Sequence, residues 1–119
     1  MSEKRQGPKR FRTVSAHERS FERAPRVRAG DVVRHDRDDG KNPGWFVGTD
    51  PGGVEGYFPC RWFEVDLGAS TARALRDYDA AELTIEAQAE VECLAEESGW
   101  LLVRTNDDRE GWIPAACLP

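Results

Sequence analysis

The sequence predicts an all-β protein built from two tandem copies of one small five-stranded barrel. Three observations lead to this prediction: blocks of sequence that recur at one fixed spacing, short apolar runs separated by turn residues, and no sustained helical period anywhere in the 119 residues. We expect a disordered basic tail over residues 1–10, a first barrel over 11–65, a linker over 66–71 and a second barrel over 72–119.

The repeat is clearest where the chain is aligned with itself so that residue 44 lies over residue 99. The segment GWFV at residues 44–47 then aligns with GWLL at residues 99–102. Without a gap, EGYFP at residues 55–59 aligns with EGWIP at residues 110–114. Two ordered blocks at one spacing indicate a duplicated structural unit.

Upstream of these blocks, RAGDV at residues 28–32 aligns with AQAEV at residues 87–91, which is four positions out of step with the later blocks. The first copy therefore has a loop that is longer by these four positions, around residues 36–43. In the second copy we predict strands at residues 91–94, 100–104 and 111–114, because turn-forming residues separate these apolar runs. In the first copy, DPGG at residues 50–53 predicts a tight hairpin turn.

The segment of residues 80–89 is rich in Ala and Glu, a composition that also suits a helix. Leu83 and Ile85 stand two positions apart, with Thr84 between them, which suits an extended segment equally well. The repeat favours the extended interpretation.

The composition disfavours several classes of protein. Three cysteines without a Cys-x-x-Cys pair predict no disulfide framework and a reducing, cytoplasmic setting. Two histidines and the lack of metal-ligand spacing predict no metal, no cofactor and no catalytic site, and hence a protein that is not an enzyme. No apolar run reaches membrane-spanning length, and we expect neither a secretory signal nor a membrane partner.

Charge is unevenly distributed along the chain. Residues 1–28 carry a charge of +6, residues 29–71 of −4 and residues 72–119 of −7, for a net charge of −5. The basic segment is either a solvated tail or an arm for nucleic acid or acidic lipid. The acidic remainder would repel phosphates, so we disfavour nucleic acid as a partner.

Several motifs of the second copy resemble those of Src homology 3 domains. ALRDYDA at residues 74–80 is similar to their ALYDY segment, and ELTI at residues 82–85 to their diverging turn. Gly99-Trp100 resembles the start of the strand that carries the ligand-contacting tryptophan, and GWIP at residues 111–114 resembles their Gly-Tyr-Ile-Pro. The pair of copies resembles the bacterial tandem variants of this domain.

The resemblance implies two barrels with aromatic grooves that bind proline-rich or extended segments, including basic ones, in a polyproline II conformation. It assigns groove and acidic-rim positions in both copies: Trp45, Pro59, Trp62, Tyr78, Asp79, Glu82, Glu97, Trp100 and Pro114. The chain departs from the family where Arg76 and Cys117 replace groove tyrosines, and we expect Tyr57 and Trp112 to be packing residues.

Four functions therefore follow from the sequence, the least favoured being nucleic-acid binding through the basic segment of residues 4–28. The first is a monomeric, non-enzymatic module that recognises a protein or peptide through its grooves. The second is a structural pair whose grooves pack against each other and which docks on a larger protein. The third is an accessory subunit of an enzyme. Fold resemblance alone does not decide among them.

Overall fold

Short antiparallel strands dominate the residues that the computed structural model describes, 9–20 and 22–119. In chain order they are β1 (Arg10–Arg12), β2 (Arg26–Val27), β3 (Val32–Asp38), β4 (Trp45–Thr49), β5 (Glu55–Pro59), β6 (Phe63–Asp66), β7 (Thr71–Ala74), β8 (Tyr78–Asp79), β9 (Glu90–Glu97), β10 (Trp100–Thr105) and β11 (Glu110–Pro114). Within these residues the helical content is two 3-10 turns, Cys60–Trp62 and Ala115–Cys117. The predicted all-β class is confirmed.

The strands form three sheets. A five-stranded sheet has the order β5-β4-β3-β7-β6, a four-stranded sheet has the order β1-β9-β10-β11, and β2 pairs with β8. In the described part of the chain, none of these sheets closes on itself into a barrel. The two predicted five-stranded barrels therefore stay a prediction.

The repeat reappears as strand register. In the hairpin β4–β5, Trp45 lies opposite Pro59, and in the hairpin β10–β11, Trp100 lies opposite Pro114. These two pairs align with each other in the repeat, and a 3-10 turn follows the proline in both hairpins. The predicted turn at residues 50–53 is confirmed by a hydrogen bond from the Gly53 N–H to the carbonyl of Asp50, at 2.9 Å.

The leading strand of each repeat pairs with the other repeat. Strand β7 lies between β3 and β6, and β1 pairs with β9. The two junctions are equivalent, because the N–H of Leu75 donates to the carbonyl of Trp62 (2.9 Å) and that of Val14 donates to the carbonyl of Cys117 (2.7 Å). Trp62 and Cys117 align with each other in the repeat, so the two leading strands occupy matching places in opposite repeats.

Each leading strand thus pairs with the opposite repeat, which we call the exchange of leading strands. The segments that follow the leading strands β1 and β7 also pair across the two repeats. Strand β2 of the first loop pairs with β8 of the second, and His17 forms an antiparallel bridge with Ile85. The predicted segments 11–65 and 72–119 thus contribute paired strands to each other's sheets.

The predicted linker over residues 66–71 is a hairpin turn. Asp66 pairs with Thr71, and the N–H of Ser70 donates to the carbonyl of Leu67 at 3.2 Å. Of the predicted disordered tail, residues 1–8 lie outside the described residues. Arg10 begins β1, and the carbonyl of Lys9 accepts a hydrogen bond from the N–H of Cys93.

No helix forms over residues 80–89, as the repeat predicted: Glu82 and Ile85 form β-bridges, and residues 87–88 form a turn with a φ of 67° at Gln88. Leu83 and Ile85 are buried and Thr84 is exposed, the alternation of a strand with one face on a core. A parallel bridge between Glu82 and Trp112 attaches the segment to β11.

Two apolar cores follow from this pairing. The first contains Val27, Val33, Trp45, Phe46, Phe58, Trp62, Phe63, Ala72, Ala74, Tyr78 and Trp112. The second contains Leu83, Ile85, Val91, Leu101, Val103, Ile113 and Cys117, with Phe11 packed against it. Burial of a side chain such as Phe46 or Phe58 stabilises the fold by about 1.5–3 kcal/mol. The first core includes side chains from both repeats. The buried members of the second core all come from the second repeat, and Phe11 of the first repeat packs against them.

Candidate functional site

An aromatic pocket lies where the two repeats meet. It has a volume of about 220 Å³, and five aromatic side chains line it: Trp45, Tyr57, Tyr78, Trp100 and Trp112. Two carboxylates, Asp39 and Glu82, also line it. Four of the predicted ligand-binding residues, Trp45, Tyr78, Glu82 and Trp100, are therefore brought together in one place. We call this site the aromatic pocket.

Two equivalent turns place the tryptophans at the pocket. Trp45 begins β4 and Trp100 begins β10, and each follows a glycine with positive φ: 93° at Gly44 and 92° at Gly99. Such a φ strains any residue with a Cβ, and at Gly44 a Cβ would also collide with the side chain of Ser98. The recurrent Gly-Trp pair therefore reflects the turn that delivers each indole to the start of its strand.

Trp112 belongs to the second repeat, and its ring packs in the first core against aromatic side chains of the first repeat. Its ring lies 5.5 Å from that of Trp45, 5.6 Å from that of Trp62 and 6.2 Å from that of Tyr78, between ring centroids. Its Nε1 N–H donates to the carbonyl of Asp79 at 3.1 Å. Trp112 is 2 % exposed, in agreement with the packing role predicted for it. Tyr57, for which the same role was predicted, is instead 39 % exposed and lines the pocket.

Tyr78 and Trp45 differ in how their polar atoms are satisfied. The hydroxyl of Tyr78 donates to the carbonyl of Tyr57 at 2.7 Å, and burial raises the pKa of Tyr78 well above its usual value, so the phenol keeps its proton. The Nε1 of Trp45 is buried and has no hydrogen-bond partner within residues 9–20 and 22–119. An unpaired buried donor costs free energy, which an acceptor on a ligand could recover.

Trp62 is held by a carboxylate on one side and a guanidinium on the other. Its Nε1 N–H donates to Oε1 of Glu97 at 2.9 Å, and both residues are buried. The Arg76 guanidinium carbon lies 3.8 Å from the Trp62 ring centroid, a cation–π contact. The resemblance implies a groove tyrosine at the positions of Arg76 and Cys117. Arg76 instead covers the indole of Trp62. Cys117 is buried in the second core.

We expect Trp62→Phe to lower the free energy of unfolding by about 1.5–3 kcal/mol, because it removes the donor from a buried carboxylate. Glu97→Gln keeps an acceptor oxygen for the indole N–H and should cost clearly less. Urea unfolding of both variants measures the difference. Equal losses would contradict this expectation, because a neutral acceptor would then retain none of the stability of the hydrogen bond.

The remaining predicted residues are not at the aromatic pocket. Pro59 is fully buried, and Pro114 is half-buried opposite Trp100. Asp79 is exposed, and its carboxylate lies 3.5 Å from Nε of Arg26. Glu97 serves Trp62 rather than the rim of a groove.

His17 does not line the aromatic pocket but contacts two residues that do, and the sequence did not indicate it. It occupies in the second repeat the place that Tyr78 occupies in the first, since each lies three residues beyond the equivalent junction residues Val14 and Leu75. Its ring lies edge-on to Trp100 with 5.9 Å between centroids, and its Nε2 is 3.0 Å from Oε1 of Glu82. An alignment of the leading strands that places Val14 over Leu75 could have found it.

The histidine and thiol side chains of the described residues do not line the aromatic pocket. Within them, no group of three or more His, Cys, Asp or Glu side chains is arranged to hold a metal ion. Burial raises the pKa of Cys60 and of Cys93, which keeps both as thiols. The same residues contain no helix with the length and apolar character needed to span a membrane.

The chain was compared with known protein families, with curated proteins and with solved structures. It matches none of them.

Proposed function

We propose that this protein is a non-enzymatic binding module that takes an extended segment of a partner protein, proline-rich or basic, at the aromatic pocket. The observation that carries the proposal is the pocket itself, with five aromatic side chains and two carboxylates around about 220 Å³. Flat aromatic faces suit proline rings and the stems of long side chains. We further propose that residues 11–65 and residues 72–119 each correspond to one Src homology 3-like unit.

The size of the pocket further supports an extended peptide as the ligand. Pockets for drug-sized ligands measure about 300–1,000 Å³, so a pocket of about 220 Å³ suits one side chain of a longer segment.

We expect Trp100→Ala to weaken peptide binding about 30-fold, as truncation of a central aromatic contact commonly does. The test is a calorimetric titration with peptides selected from a library rich in proline and basic residues. Leu75→Ala is the control, because Leu75 is 58 % exposed and lies outside the pocket. Equal affinities for wild type and Trp100→Ala, or weakening by both variants alike, would contradict the proposal.

A second candidate is a structural unit whose aromatic faces pack together and which docks elsewhere on a larger protein. The burial of Trp45 (5 % exposed) favours it, since the resemblance leads one to expect a partly exposed tryptophan at this position. Acrylamide quenching of wild type, Trp45→Phe and Trp100→Phe separates the two candidates. Loss of the most quenchable component in Trp100→Phe supports an accessible pocket, and unchanged weak quenching in both variants supports the structural unit.

A further inference from the structure

The aromatic pocket has an uneven charge. Asp39 and Glu82 line it, and no Lys or Arg does so in the described part of the chain. The hydrogen bond from Nδ2 of Asn42 to Oδ2 of Asp39, at 2.9 Å, lowers the pKa of that carboxyl group, which is therefore ionised at neutral pH. A cation is favoured here by charge alone.

The rings around the pocket favour the same kind of ligand. Trp45, Trp100 and Trp112 line it, and tryptophan is the side chain whose face attracts cations most strongly. Trp100 is the accessible one of the three, because it is half-buried while Trp45 and Trp112 are 5 % and 2 % exposed. Tyr57 and Tyr78 add two further rings. A ligand without charge would gain from burying apolar area against these rings, but it would not gain from the electrostatic attraction between a cation and the negative ring faces.

Hydrogen bonds within the protein already engage both carboxylates. Asp39 accepts from the N–H of Lys41 (3.0 Å) and from the amide of Asn42. Oε1 of Glu82 accepts from the N–H and the hydroxyl of Ser20, at 3.1 and 2.9 Å, and lies 3.0 Å from Nε2 of His17. These bonds fix the carboxylates, and Oε2 of Glu82 receives none of them, so it stays available to one donor of a ligand, fewer than the three donors of an ammonium group.

This arrangement discriminates among cations. A lysine ammonium group brings three N–H donors and an arginine guanidinium group five, and each donor needs an acceptor once it is buried. A trimethylammonium group has no N–H donor, carries the same charge and presents methyl groups to the rings. The small volume of the pocket, about 220 Å³, suits a single head group of this kind.

We propose that the aromatic pocket selects a trimethylammonium group, presented by a trimethylated lysine in the partner segment. This inference rests on the proposed function and specifies which side chain of the segment enters the pocket. The shared chemistry is the methylated cation, which free choline also carries.

The first test compares choline with 3,3-dimethylbutan-1-ol, in which carbon replaces the charged nitrogen and the shape is kept. We expect choline to quench or shift tryptophan fluorescence in a saturable way and to bind at least about tenfold more tightly than the alcohol. Equal binding of the two molecules, or no binding of choline, would overturn the inference.

Variants connect this binding to the pocket. Glu82→Gln should weaken choline binding about tenfold, and Glu86→Gln should leave it unchanged, since Glu86 is exposed and lies outside the pocket. Because Glu82 also holds Ser20, Trp100→Leu serves as a second variant with the same expected direction. Retention of choline affinity in both Glu82→Gln and Trp100→Leu would count against this site.

The second test distinguishes the source of the cation and separates this inference from the proposed function. Each peptide selected from the library is made in two forms, one with lysine and one with trimethyllysine at the same position, and the affinities of the two forms are compared. The trimethylated form is expected to bind more tightly. Equal binding of both forms overturns the inference and leaves the proposed function standing. Binding of choline but of no peptide overturns the partner segment as the source, and binding of neither overturns both proposals.

Discussion

Fragments that separate the two repeats, residues 1–70 and residues 71–119, are each expected to be unfolded in isolation. The first fragment lacks β7, so β3 and β6 lose the strand between them and the first core loses Ala72, Ala74 and Tyr78. The second fragment lacks β1 and with it Phe11, which packs against the second core. The free energy of unfolding of a small domain is about 5–15 kcal/mol, and the loss of a central strand with its core side chains, or of an edge strand with Phe11, removes a large share of it.

Circular dichroism and amide proton NMR of each fragment alone measure the expected loss of structure. The matched control is the full chain cleaved after folding at a protease site placed within residues 67–70, the exposed turn between β6 and β7. The cleaved chain contains the same two fragments and should stay folded, because every strand keeps its partner. Dispersed amide signals from either isolated fragment would contradict the dependence of each repeat on the other.

Trp112→Ala is expected to lower the free energy of unfolding by about 3–5 kcal/mol, the usual cost of removing a buried aromatic side chain. The substitution removes three ring contacts to the first core and the hydrogen bond to the carbonyl of Asp79. Tyr57 is the control, because it aligns with Trp112 and occupies the same place in the repeat.

The side chain of Tyr57 is 39 % exposed, so Tyr57→Ala should cost about 1 kcal/mol. Its backbone carbonyl, which accepts the hydroxyl of Tyr78, is unaffected by the change. Urea unfolding of the two variants gives the comparison. Equal costs at both positions would mean that Trp112 does not hold the repeats together.

The hairpins could be predicted from the sequence because register follows residue spacing. Identical spacing in residues 44–59 and 99–114 predicts identical pairing, and the pairs Trp45–Pro59 and Trp100–Pro114 have it. The alternation of Leu83, Thr84 and Ile85 likewise predicted an extended segment with one buried face.

The exchange of leading strands could not be predicted from these patterns. An alternating pattern tells which side chains face a core, but both repeats offer an equivalent core and an equivalent strand edge. The choice depends on chain length between β6 and β7, since the short segment 67–70 allows only a tight hairpin with Asp66 opposite Thr71. The same limitation hid His17, which reaches two pocket residues through the exchanged segment.

The candidate site was predicted in part. Trp45, Tyr78, Glu82 and Trp100 meet at the aromatic pocket, because the Gly-Trp turns and the loop after β8 converge there. Glu97 carries a charge, which suggested a solvated rim, yet its position at the end of β9 directs it to the indole N–H of Trp62. Which partner a carboxylate meets depends on contacts between repeats, and these are not encoded in either repeat by itself.

The pairing of β1 with β9 also sets an order of events during synthesis on the ribosome. Phe11 pairs with Val91, so β1 emerges early and remains without its partner strand until most of the chain has been made. The first repeat, by contrast, has all the strands of its sheet once residue 74 is available. All strands of the five-stranded sheet are therefore synthesised before β9, the partner of β1, is available. Until β9 has been made, the N-terminal segment must remain unpaired without aggregating.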